Sequence, residues 1–153
     1  MTDFLARPMH LVSPTSPVCV MKQFSVEEAN RTLPLVRRIV EDIVATYQRW
    51  QERVREFESI AASARADRPG DAAERIQFEV QQLAAEIAGY VEELTELGIE
   101  FKGFETGLVD FPGEVEGRPV YLCWQLGESS VQFWHARDAG FAGRQPLIPS
   151  MVR

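Results

Sequence analysis

Histidine and cysteine are scarce in this chain, two of each in 153 residues. A ferritin-like di-iron bundle needs Glu-x-x-His on its helices, and neither long helical segment identified below contains a histidine. Zinc sites built on paired histidines or a Cys-x-x-Cys unit lack their ligands within one chain. Phosphate loops of the GxxxxGKS and GxGxxG types are absent, as is the Gly-x-Ser-x-Gly elbow that would make Ser129 or Ser130 a strong nucleophile. No apolar run approaches the roughly 20 residues of a membrane helix. Cys19 and Cys123 lie far apart, and Cys123 alternates with large apolar residues, as a buried, reduced thiol would. The expectation is a cytoplasmic protein without a disulfide framework.

Positive charge is also thin in one place. The net charge is −7, and it is uneven. Residues 25–66 balance seven acids with seven bases, whereas residues 71–97 set seven acids against Arg75 alone. A surplus of this sign repels phosphate backbones and anionic lipid, so neither nucleic acid nor a membrane surface is an expected partner.

What is present is periodic. Ser25-Val-Glu-Glu28 has the form of a capping box, with Phe24 and Ala29 placed for a weak staple. Pro34 follows and predicts a kink, hence a short leading helix feeding a long one. Apolar residues then recur at Val36, Val40, Ile43, Tyr47, Trp50, Val54, Phe57 and Ala61. A second stripe runs through Ile76, Val80, Leu83, Ile87, Tyr90, Leu94 and Leu97. Two heptad-like stripes joined through Asp67-Arg-Pro-Gly-Asp71 predict a long antiparallel, coiled-coil-like helical hairpin. A turn near Pro69 sets Arg53 against Glu86, and Gly98 is the expected C-terminal stop.

After Gly98 the period becomes two. Candidate strands are 99–104, 107–111, 120–126 and 131–135, with Pro112–Arg118 as a turn-rich link. Val120, Leu122, Trp124 and Leu126 share one face, and Tyr121, Cys123 and Gln125 the other. The fold class is therefore α+β, the hairpin packed against a small antiparallel β-meander of three to four strands. Residues 24–153 form one domain in this reading: hairpin 24–97, meander 98–147, tail 148–153. Residues 1–23 are an N-terminal extension, loosely packed or adding an edge strand through Val18 to Met21. Met21 opens a run that would itself make a natural beginning, so membership of the first twenty residues in the native protein stays open.

FSVEEANRTLPLV, GLVDFPGEVEGRPVYLCWQLGE and FWHARDAGFAGRQPL together resemble the prokaryotic family catalogued as domain of unknown function 2203, from about Phe24 to Leu147. The resemblance implies a shared fold and a shared, uncharacterised role, and it supplies no catalytic residue.

The chemistry must come from the residues themselves. Asp110, Glu128, His135 and Arg144 all fall where strands end. Asp110 alternates with Leu108, and His135 with Val131 and Phe133, a phase that would turn both toward the helices. His135, Asp110 and Glu128 are candidate ligands for a divalent metal, or partners in acid–base work. Arg144, beyond Gly140 and Gly143, is placed to clamp a carboxylate or phosphate. The same four residues would equally make a structural network, with Asp110 organising the turn before Pro112. Two functional readings follow. One is a non-catalytic interaction module that forms a homodimer through its helices, because helices this long overhang so small a sheet. The other is a metal- or small-anion-binding protein or enzyme using the four polar residues.

Overall fold

The computed structural model describes residues 22–63 and 70–152. The proposed edge strand at Val18–Met21 and most of the inter-helix turn lie outside them. Helix α1 spans Val26–Ser63 and helix α2 spans Asp71–Glu96. Ser25 Oγ accepts from the Glu28 N–H at 3.0 Å, the hydroxyl half of the predicted capping box. Pro34 does not divide α1 into two helices. Its ring is exposed, and the buried residues on either side of it, Leu33 and Val36, hold the helix through the missing backbone bond. The predicted C-terminal stop is a Schellman motif. The Ile99 N–H donates to the Leu94 carbonyl (3.0 Å), the Gly98 N–H to that of Thr95 (2.9 Å), and Gly98 has φ +81°.

The two stripes meet as expected except at Ala61, which is exposed. Val36, Val40, Ile43, Ile76, Leu83, Ile87 and Leu94 are buried, while Tyr47, Trp50, Val54, Phe57, Val80 and Tyr90 are half-buried. The register differs from the expectation. Arg53 pairs with Glu79 (Nε–Oε2 3.4 Å) and Glu56 rather than with Glu86. The partner of Arg53 lies seven residues N-terminal to the expected one. The slip is one heptad, which a heptad pattern by itself cannot resist.

Five strands form an antiparallel sheet in chain order: β1 Glu100–Gly103, β2 Leu108–Val115, β3 Arg118–Gln125, β4 Phe133–Ala136 and β5 Gln145–Pro146. The expectation was three to four. The extra strand, β5, has two residues, too few to carry a period. The assumed loop 112–118 is mostly β-ladder, closed by a two-residue turn at Glu116 (φ +53°) and Gly117 (φ +76°), both left-handed as a type I′ hairpin turn requires. Pro112 fits inside β2 because its backbone faces away from β3. Its carbonyl accepts from the Phe24 N–H at 2.7 Å, beyond the end of β1, so no ladder donor is lost. Gly113 is required at that contact, since a Cβ there would lie 2.7 Å from the Phe24 carbonyl oxygen.

The inner face of the sheet, with Val109, Phe111, Val115, Val120, Leu122 and Trp124, buries its side chains with Phe24, Leu33, Val36, Val40, Ile43, Leu94 and Ile99 in one core. Asn30 ties helix to sheet: its Oδ1 accepts from the Val131 N–H (2.7 Å), and its Nδ2 donates to the Val26 carbonyl (3.1 Å). No described helix is long and apolar enough to cross a membrane.

Candidate metal centre on the outer face of the sheet

Strand pairing decides which side chains meet. Directly paired residues in neighbouring strands project to the same face. Asp110 pairs with Cys123, and Tyr121 with His135. Val109, Phe111, Leu122 and Trp124 take the helical side, so Asp110, Cys123 and His135 share the other. The expectation that Asp110 and His135 face the helices is therefore corrected. Apolar residues in Leu-Val-Asp-Phe-Pro occur in both phases, and Val109 with Phe111 wins the core while Leu108 stays half-buried outside.

The three outer residues are nonetheless buried: Asp110 is 4%, Cys123 0% and His135 2% exposed. One carboxylate oxygen, the thiol sulfur and one imidazole nitrogen lie within 4.8 Å of one another. His135 Nδ1 sits 2.8 Å from the Ala136 carbonyl, which can only accept, so Nδ1 carries the proton. Nε2 then faces Asp110 Oδ1 at 3.1 Å. A hydrogen bond there places one proton between the two atoms. Burial, followed by the negative charge of Asp110, pushes the Cys123 thiol up to about 11. With both ring nitrogens engaged and the thiol raised rather than lowered, the trio is not a Cys–His nucleophile pair.

Arg144 and Glu128 lie beside this trio, paired with each other. Arg144 Nη2 donates to Glu128 Oε1 and to the Cys123 carbonyl (3.4 Å). Glu128 Oε1 also accepts from the Gln125 N–H at 2.7 Å, fixing the β3–β4 turn. Burial works against the Arg144 charge, but Glu128 and Cys123 together outweigh it and hold the guanidinium above the usual arginine range. The guanidinium rides 4.0 Å from the Phe133 ring centroid and 5.3 Å from that of Phe141, a cation–π roof over the cluster. Of the four residues expected to form a site, Asp110 and His135 are thus brought together, while Glu128 serves Arg144 instead of joining the ligand group. Cys123 takes the third position. Its signal was its place opposite the apolar face of β3, but its partner depended on a register that periodicity leaves open.

A family described as "Uncharacterized conserved protein (DUF2203)" matches residues 22–147. The chain belongs to that family. No curated protein matches it. No solved structure does either. The DUF2203 match takes in all of Asp110, Cys123, Glu128, His135 and Arg144, so the cluster lies within the family region of the chain.

Proposed function

We propose that this DUF2203 protein is a cytoplasmic metal-binding protein that holds one divalent ion of the zinc class through Asp110, Cys123 and His135. One observation carries this reading: three ligand atoms of the right kinds converge within 4.8 Å in a buried site. Thiolate, imidazole and carboxylate are the zinc donors, at about 2.0–2.3 Å from the ion. Ligand atoms around such an ion stand roughly 3.3–3.7 Å apart, so the 3.1 Å Nε2–Oδ1 contact already approaches one edge. Closing the widest gap takes about 1 Å of side-chain rotation. The Nδ1–H bond to the Ala136 carbonyl is the second support, since it orients the ring with Nε2 toward the ion. Metal binding would displace the proton of the Asp110–His135 contact and that of the thiol. Cobalt(II) added to protein purified without a metal-affinity tag tests this. The expected result is a near-ultraviolet thiolate-to-cobalt band that Cys123→Ser abolishes and His135→Ala abolishes or greatly weakens. Folded protein showing no such band would overturn the reading.

A separate observation supports the interaction reading. Tyr47, Trp50, Ala84, Ile87 and Phe104 line an open apolar recess of about 240 Å³ where α1 passes beyond the sheet. Tyr47 stacks on Phe104 there with centroids 5.1 Å apart. Its occupant in this reading is a second copy, approached through α1, because two acidic α2 helices would repel each other. Light scattering showing only monomer at micromolar concentration would remove it.

A further inference from the structure

Arg144 has one donor without an explanation. Its Nε is buried and has no hydrogen-bond partner, although the guanidinium is fixed by Glu128, the Cys123 carbonyl and two aromatic rings. Native proteins rarely leave a buried donor of this kind unpaired, and an ion or ligand is one standard reason. The orphan belongs to the residue whose guanidinium lies against Cys123. Other cations stand on the same face. Arg137 lies 4.6 Å and Lys102 6.0 Å from the centroid of the Tyr121 ring, next to His135. Lys102 has Glu100 at 3.7 Å, whereas Arg137 makes no ion pair among the described residues.

Charge counting turns these contacts toward one ligand class. A divalent ion held by a thiolate, a carboxylate and a neutral imidazole is neutral overall, and so is the Arg144–Glu128 pair. Glu100, beside Tyr121 on this face, has Lys102 at 3.7 Å, and Arg137 is a cation there with no ion pair among the described residues. Three protein ligands also leave a tetrahedral ion one position short. Resting on the metal reading above, we propose that this fourth position takes an oxygen of a small oxyanion, phosphate or carboxylate. Arg144 Nε–H donates to the bound anion, and Arg137, over the neighbouring Tyr121 ring, balances its charge. Arginine suits both tasks through its charge and its planar set of donors.

The cobalt-loaded protein provides the test, with inorganic phosphate and acetate as separate probes and the visible d–d bands as the readout. Wild-type protein should show a saturable band shift with at least one probe. The probe that shifts the bands identifies the head group, and a shift with both means an oxyanion site without head-group selectivity. Arg137→Gln, at an exposed position, should weaken that response about tenfold, the loss of roughly one charge-assisted contact, while cobalt affinity stays within about threefold. Arg144→Lys keeps the charge but removes the Nε–H, and should abolish the saturable shift with the thiolate–cobalt band intact. A normal thiolate–cobalt band with no response to either anion would overturn the oxyanion inference and leave the metal reading standing. An unchanged anion response in both variants would overturn it too. Absence of the thiolate–cobalt band in the wild type would remove both. If Arg144→Lys fails to fold, Arg137→Gln alone decides, because its side chain lies over Tyr121 in solvent.

Discussion

His135 and Asp110 in the metal-free protein offer a sharp perturbation, because each is the other's buried side-chain partner. Asp110 has its carboxyl group 5% exposed, and the imidazole is 3% exposed. The Asp110 carboxyl has the His135 imidazole at 3.1 Å, with the Cys123 thiol beside it. Removing the imidazole with His135→Ala leaves the Asp110 carboxyl in a dry site without its imidazole partner, and breaking a buried pair from one side costs about 3–5 kcal/mol. Removing the carboxyl with Asp110→Ala leaves an imidazole that keeps its Nδ1–H bond and loses only the Nε2 contact, at about 1–3 kcal/mol. The double variant leaves no orphan on either side. Its cost should fall short of the sum of the singles by at least about 1 kcal/mol. Urea unfolding followed by circular dichroism at pH 7, in the presence of a chelator, measures all four corners of the cycle. Additivity within about 0.5 kcal/mol would show that the two groups do not share a proton or a bond, and the description of the pair would fail.

Further outcomes follow from other contacts. Cys123 keeps its proton in the folded chain up to about 11, against a reference value of 9.0. Its stabilising contribution is complete below about pH 9 and is lost as pH climbs through 11, at most about 2–3 kcal/mol. Chelated wild-type protein should therefore lose more melting temperature between pH 8 and 11 than Cys123→Ala does. Gly113→Ala puts a methyl group 2.7 Å from the Phe24 carbonyl. It should cost about 1–3 kcal/mol and speed amide exchange at Phe24. Asn30→Ala strands the Val131 N–H and should lower stability by about 1–2 kcal/mol in urea unfolding. Zinc at 100 times its dissociation constant should raise wild-type stability by about 2.7 kcal/mol and leave Cys123→Ser unchanged.

The hairpin was legible because its signal is dense. Seven-residue repeats, a cap at Ser25 and a stop at Gly98 each specify helix independently, and the burial of Val36, Val40, Ile43, Leu83 and Leu94 agrees with them. Register was not legible, because sliding one helix by a heptad matches apolar to apolar again. Arg53 accordingly meets Glu79 in place of Glu86. Pro34 misled for a related reason. Local propensity opposed the helix there, and the packing of its neighbours overrode it. The sheet was legible in class and incompletely in phase. Leu-Val-Asp-Phe-Pro can bury either alternate set, and choosing Leu108 over Val109 turned Asp110 the wrong way. Cys123 could not be joined to Asp110 and His135 without knowing that residues 110 and 123 pair across β2 and β3. A polar cluster drawn from three strands is a property of the ladder more than of any one segment.

The phase of β2 has one more effect. Because Val109 and Phe111 point to the helices while Asp110 points away, the buried polar trio and the apolar core sit back to back with a single layer of backbone between them. The sheet acts as a bulkhead. Polar side chains on the outer side can be exchanged for another set, or lost, with the oily seam behind them undisturbed, and the rods can lengthen without repacking the polar face in front.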